Sequence, residues 1–409
     1  MLHVFFENQL IGSIAQNSYG RMEFAYASEW LSGNNQFPLS QSLPLDGSFS
    51  KGLQDHNYFA NLLPEGEARI SICRELGIHQ DNDFSLLKAI GGDCAGALQV
   101  IPENEPRHSE VSYKPISHNS LVKAARSFQR NGYGSPAGTH HRMSLAGAQD
   151  KWPVYVDSST IYLPAQSSPS SHIVKFSSRQ YRNLPQNEAF STYIAGRLGL
   201  GAVEVTAYDG YSMSERFDRT RSSTGAVKRI HQEDFCQALG YAPTSKYESE
   251  GGPRFYHCMS MLRKVSASPA EDILRLIKWQ IANIFIGNAD GHAKNIALLY
   301  TPNGPRLSPF YDIVCTRVYS GITPDSAFSV GGVFDPGHIR KQDWETWASE
   351  LGTRPSLILR LVEETASALT NQLDSFLQDY CSRWGTSPIT EQIASAIRKQ
   401  IRRTNTLLK

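Results

Sequence analysis

The stretch "GNADGHAKN", residues 287–295, crowds an acid, a histidine, a lysine and an amide into nine positions directly after a long apolar helix pattern. Asp290 and Asn295 stand five residues apart, and a hairpin pattern through "IALLY", "TPNGP" and "RLSPFYDIV" brings the chain to a second acid, Asp312. These groups suit phosphoryl transfer. One carboxylate orients and deprotonates an attacking hydroxyl, while an amide oxygen and a second carboxylate hold Mg2+ against the phosphates of ATP, because that ion prefers hard oxygen ligands. The competing reading is that Asp290 and Asn295 only stabilise their own turn, as Asp, Asn and Gly commonly do.

The Asp290-to-Asn295 interval equals that of the H-R-D-x-x-x-x-N loop of protein kinases, but the H-R pair is absent, and Ile313 and Val314 follow Asp312 in place of Phe-Gly. Lys175 closes the strand-like "HIVKF", as the kinase lysine closes V-A-I-K, a place from which it can neutralise the α- and β-phosphates. Glu188, in the next helix, is a candidate to pair with it. A strand-end lysine, and an acid that gains about 0.3–1 kcal/mol at a helix N-terminus, would look the same. The segment "SLAGAQDK", residues 144–151, carries Ala146, Gly147 and Ala148, small enough for a backbone to approach a phosphate and present N–H donors. It lacks G-x-x-x-x-G-K-[ST] spacing, and a plain turn shares its pattern. In "SERF", the backbone from Glu215 to Phe217 is either a hinge for an adenine edge or a buried edge strand.

The elements that must position these groups are legible in outline. Strand-like runs "HVFFENQLIGSI" and "MEFAYASEWL" give way to helical patterns, and the polar, proline-bearing residues 102–120 mark a boundary. "NEAFSTYIAGRLGL" places Phe190, Ile194 and Leu198 on one helical face with Gly199 as a stop, and "VEVTAYDGYSMSERF" predicts a hairpin through Asp209 and Gly210. "SPAEDILRLIKWQIANIFI" predicts a helix capped by Ser268, with Pro269 in its first turn and Glu271 completing a capping box. The remainder reads as helical.

Forty basic and thirty-nine acidic residues leave a net charge of +1, without the basic excess of a protein that holds nucleic acid by charge alone. The terminal Arg398, Lys399, Arg402 and Arg403 read as a solvated helix end. Six scattered cysteines form no CxxC pair, which fits reduced thiols in a cytosol better than zinc or disulfides. No leader and no membrane-length apolar run is legible, so a cytoplasmic protein without a membrane partner is expected.

Taken in order, "SLAGAQDKW", "HIVKF", "NEAFSTYIAGRLGL", "ERFDR", "RIHQEDFCQALG", "KYE" before "GGP", "NADGHAKN" and "FYDIV" resemble the HipA family of bacterial toxin kinases. "LSQSLPL", "YFANLLPEGEAR" and "LLKAIGGDCAGAL" extend that resemblance over nearly the whole chain. It implies an α+β, bilobal, protein-kinase-like fold. Residues 1–105 would form a β-rich N-terminal subdomain, 106–217 a kinase N-lobe with the phosphate loop, and 218–409 a mainly helical C-lobe with the catalytic loop.

The resemblance also implies an ATP- and Mg2+-dependent serine/threonine kinase, the toxin of a type II toxin–antitoxin pair. The implied partners are a HipB-like helix-turn-helix antitoxin, through which DNA is reached, and a translation component, notably an aminoacyl-tRNA synthetase, whose phosphorylation causes growth arrest and persistence. Carried over by motif, Asp290 would be the catalytic aspartate, and Asn295 and Asp312 the Mg2+ ligands. Lys175 would contact phosphates. Ala146, Gly147, Ala148, Gln149, Asp150 and Lys151 would form the phosphate loop, Glu215 and Phe217 would line the adenine site, and His292 and Lys294 would lie beside the nucleotide. Ser144 matches the autophosphorylated position, whose added charge would expel the loop. Asp150 departs from the family's "GAQEK", keeping the charge on a shorter side chain. The alternative reading is a catalytically weak co-repressor that stabilises a DNA-binding antitoxin.

Overall fold

Alternating apolar residues in the first hundred positions produce a four-stranded antiparallel sheet, ordered Met22–Tyr26, Gln9–Gln16, Leu2–Phe6 and Leu98–Pro102. Leu2, Val4, Ile11, Ile14 and Phe24 turn one face into a core closed by Tyr58 and Phe59 of the helix Gln54–Ala60 and by Leu86 and Leu87 of the helix Asp83–Ile90. Burying each such side chain stabilises by roughly 1.5–3 kcal/mol. Asp55 fastens helix to sheet by accepting the Phe24 N–H at 3.1 Å. The computed structural model describes residues 1–34, 36–48, 53–105, 111–131, 147, 149–165, 168–222 and 225–409, except the side chains of 129–131.

The chain forms two compact units. The first comprises Met1–Gln180, Asp209–Thr244 and Ala297–Pro302, and the second Tyr181–Tyr208, Ser245–Ile296 and Asn303–Lys409. Besides the N-terminal sheet, the first unit holds antiparallel strands ordered Tyr113–Ile116, Thr160–Pro164, Lys151–Asp157, His172–Phe176 and Tyr211–Glu215. Register decides which side chains share a face, because successive residues alternate. Trp152 pairs with Val174, and Phe176 with Tyr211; this apolar face lies under the helix His118–Asn131, whose Phe128 stacks on Phe176 at 4.6 Å. The opposite face carries Lys151, Lys175 and Ser212 as cross-strand neighbours. A sheet face with two adjacent lysines suits an anion.

The second unit is helical: Leu184–Arg197, Phe255–Val265, Pro269–Ile286, Lys341–Glu350, Pro355–Trp384 and Pro388–Leu407. Its core is aromatic. Trp279 stacks on Phe310 at 5.5 Å, and Phe255 meets Trp347 at 5.0 Å. The predicted helix Pro269–Ile286 forms with Ser268 at its cap position, but the Ser268 side chain makes no capping bond. Glu271 pairs instead with Arg306 at 2.7 Å, and Asp272 accepts from Ser266 at 2.6 Å, so an ion-paired loop replaces the expected capping box. Beyond the helix Leu184–Arg197, Gly199 lies in the left-handed region, as its stop position predicts. No helix among the described residues is long and apolar enough to cross a membrane.

Candidate active site

The helix Pro269–Ile286 ends at Gly287, φ +83, where a Cβ would come within 2.9 Å of the Arg317 side chain. From there the chain makes a turn built almost entirely from buried groups. Asn288 donates to Asn283 Oδ1 at 3.1 Å and accepts the Asp290 N–H at 3.0 Å; the Ala289 N–H donates to Thr316 Oγ1 at 2.9 Å. Gly291 is required by close approach, since a Cβ there would sit 2.8 Å from Asn283 Nδ2. The turn is therefore stabilised by Asn288, Asn283 and Thr316, and the Asp290 carboxylate is left out of that work. The Asp290 side chain is 54% exposed, on a loop whose neighbours His292, Lys294 and Asn295 are buried.

Asp290 Oδ1 accepts the Tyr247 hydroxyl and lies 3.6 Å from His292 Nε2. Asn295 Nδ2 donates to the Asp290 carbonyl oxygen at 2.7 Å, which fixes the amide and leaves Oδ1 as its coordinating atom. Asp312, in the segment 307–315, has φ +55 in the left-handed region, a conformation that Asp tolerates better than most residues. Two attachments hold it there. The Tyr311 hydroxyl donates to the Lys294 carbonyl at 2.8 Å, tying the residue before Asp312 to the residue before Asn295. Asn187 grips the Cys315 backbone at both ends, donating to its carbonyl at 2.9 Å and accepting its N–H at 2.8 Å.

An amide oxygen and a carboxylate on adjoining, anchored segments fit Mg2+, which usually takes one or two protein oxygens and completes its shell with substrate phosphates and water. Among the described residues no three His, Cys, Asp or Glu side chains gather as an all-protein cage would need.

In the first unit, Lys175 is only 6% exposed although a lysine, and stands between Lys151 and Ser212 in register. Gly147 has φ +111, and a Cβ there would meet Lys151 Nζ at 2.7 Å, so glycine lets the loop pass over that ammonium. The Gly147 carbonyl accepts the Glu65 N–H at 3.1 Å, and Gln149 donates to the Phe176 carbonyl at 2.7 Å. Asp150 is half-buried; burial, then the nearby Glu67 charge, pushes its carboxyl up to about 6. Glu215 ends its strand exposed, opposite His172, and Phe217 is half-buried two residues on. Ser144, Ala146 and Ala148 lie outside the described residues.

Several residues that position the site carry no signature in the sequence. Asn187, Asn283, Asn288 and Thr316 lack any diagnostic spacing, because their roles rest on partners brought together by folding. Tyr247, 43 positions before the aspartate it touches, falls inside the "KYE" motif, but nothing local points to its role.

The chain's fold and its relatives are those of a kinase. Residues 2–101 match the HipA N-terminal domain, and residues 143–373 the HipA-like C-terminal domain. A putative kinase, Y4mE of Sinorhizobium fredii, is 37% identical over 91% of this chain and 92% of its own length. The serine/threonine-protein kinase toxin HipA of Shewanella oneidensis is 29% identical over 82% of this chain and 79% of its own. The structure of the Shewanella oneidensis toxin–antitoxin complex of HipA, HipB and operator DNA matches all of this chain and 98% of the solved one, with TM-score 0.84 and 24% identity. The chain belongs to the HipA family.

Proposed function

We propose that this kinase transfers the γ-phosphoryl group of ATP to a serine or threonine hydroxyl of a protein, as the toxin of a type II toxin–antitoxin pair. The observation that carries the reading is an exposed Asp290 carboxylate on a loop whose turn is held by other residues. As the acceptor oxygen bonds to the γ-phosphorus and the bond to the ADP oxygen breaks, Asp290 takes the hydroxyl proton. Asn295 and Asp312 would hold Mg2+, which supplies charge neutralisation at the phosphates. Lys175, on a face it shares with Lys151, neutralises the α- and β-phosphates. The backbone of residues 147–151 cradles phosphate, Glu215 and Phe217 meet the adenine, and His292 and Lys294 complete the nucleotide's surroundings.

The chain divides by function into 1–105, 106–217 and 218–409, as subdomain, N-lobe and C-lobe. Its protein substrate is a translation component, an aminoacyl-tRNA synthetase, in the cytoplasm. Its partner is a HipB-like helix-turn-helix antitoxin that contacts DNA, and autophosphorylation at Ser144 shuts it down. The Shewanella toxin relative supports the toxin role, and the solved complex with HipB and operator DNA supports the choice of partner. Labelled ATP with purified wild type and Asp290→Asn tests the chemistry. The expected loss of phosphoryl transfer is about 10²- to 10⁴-fold; equal rates would overturn the assignment. Phosphoproteomics of cells expressing each form identifies the acceptor, and a phosphosite outside translation would overturn the substrate class.

A further inference from the structure

The Asp290 carboxylate is exposed and joined to the chain by rotatable bonds, yet a general base must present one oxygen in one direction. The groups that build its turn do not hold it, because Asn288, Asn283 and Thr316 bind only the backbone and one another, and within the loop His292 comes no nearer than 3.6 Å. The described contacts of the carboxylate group come at Oδ1, from the Tyr247 hydroxyl and, at 3.6 Å, from His292 Nε2.

Tyr247 is itself held on both sides. Its carbonyl accepts the N–H groups of Glu250 at 3.1 Å and Gly252 at 2.9 Å. Gly252 is confined by that approach, since a Cβ there would stand 2.6 Å from the Tyr247 and Ser245 carbonyl oxygens. The next residue, Glu248, donates its N–H to the Ala327 carbonyl at 3.1 Å, and its carboxylate accepts the Ser329 N–H at 3.0 Å and hydroxyl at 2.8 Å. The tyrosine ring meets the His292 ring edge-on at 5.2 Å and 81°. A phenol placed so firmly is more than a passing surface contact.

We propose that Tyr247 is a positioning residue for phosphoryl transfer: by donating to Oδ1 it locks the Asp290 carboxylate so that Oδ2 receives the acceptor hydroxyl's proton. This rests on the reading of Asp290 as the base. It gives the chain an anchor for the aspartate from outside the catalytic loop, where the H-R pair of other kinases is missing. A neutral phenol suits the task, since it donates one hydrogen bond without adding a charge that would compete for the incoming proton.

The test uses the full-length protein as wild type, Tyr247→Phe, Asp290→Asn and the double variant. The measurements are the single-turnover rate of phosphoryl transfer from saturating Mg·ATP, the Kd for Mg·ATP, and the thermal midpoint. Tyr247→Phe removes one oxygen from a half-buried side chain and is expected to slow transfer about 10- to 100-fold. It should leave the Kd and the midpoint unchanged, and should add little to the loss already caused by Asp290→Asn. Two results overturn the proposal while leaving Asp290 as the base: Tyr247→Phe transferring within about twofold of wild type while Asp290→Asn is inactive, or a Tyr247→Phe loss matched by weaker ATP binding or a lower midpoint. Asp290→Asn transferring as fast as wild type overturns the reading of the base and this inference together.

Discussion

In the first unit, Asp93, Arg216, Asp218, Arg219 and Arg229 meet in a sealed cluster; in the second, Asp290, His292, Lys294 and Asn295 share one loop. Both are dense in charge and hydrogen bonds. In the cluster every charge finds a partner: Arg216 meets Asp218 at 2.7 Å, and Asp93 takes Arg219 at 3.0 Å and Arg229 at 2.9 Å. Burial opposes ionisation of Asp93, but the guanidinium groups of Arg229, Arg219 and Arg216 outweigh it and hold the carboxyl well below the usual carboxylate range. Solvent is shut out of the cluster's centre, with Asp93 at 0% side-chain exposure against 54% for Asp290. The loop inverts the arrangement, burying its scaffold and exposing one carboxylate. Paired and buried charge specifies structure; exposed charge on a buried scaffold is available for chemistry.

The sharpest way to break this contrast is to remove one acid from each region. Asp93→Ala leaves Arg216 and Arg219 to share the single carboxylate of Asp218 and takes from Arg229 its ion pair, and is expected to cost about 3–5 kcal/mol in urea unfolding. Asp290→Ala should change unfolding by less than about 0.5 kcal/mol, and on the proposed role of Asp290 it should slow transfer by about 10²- to 10⁴-fold. Comparable unfolding losses would erase the distinction between the regions.

Next in size, Asn295→Ala is expected to raise the Mg2+ concentration for half-maximal transfer by at least about tenfold, read from a magnesium titration at fixed ATP. Gly147→Ala forces a Cβ onto Lys151 at φ +111, and should cost about 1–3 kcal/mol of stability or displace the loop, seen as weaker ATP binding.

The smallest effect concerns Asp150. Its folded carboxyl titrates at about 6, above the value near 3.9 of an unfolded aspartate, so the folded chain holds the proton longer. Stability contributed by the protonated form is complete below about pH 4 and is lost as pH rises from about 4 to 6. Asp150→Asn should therefore stabilise by about 1–2 kcal/mol at about pH 7.5 and by nothing near pH 4, measured as unfolding free energy at both. A pH-independent difference would remove burial as the cause.

The two regions are not equally legible in the sequence. Asp290 and Asn295 stand out because one loop concentrates its polar groups locally, Asp312 because it closes a hairpin pattern, and Lys175 because it interrupts an apolar strand. In "ERFDR" the pattern draws the eye to Glu215 and Phe217, the residues that flank and interrupt the charges. Its Arg216, Asp218 and Arg219 prove to be the interior's ionic frame, a role that requires Asp93 more than a hundred positions earlier. Ser268 reads as a helix cap, yet Arg306 with Asp272 takes over that corner, because an ion pair from a distant segment binds more donors than one hydroxyl can.

By itself the sequence determined the main elements and their order, because periodicity and turn chemistry are local. Only tertiary structure decided which charges are sealed and which are exposed, that Asn187 pins the segment after Asp312, and that Tyr247 reaches Asp290. Those outcomes depend on burial and on contacts between residues far apart in the chain, and neither quantity is written at any single position.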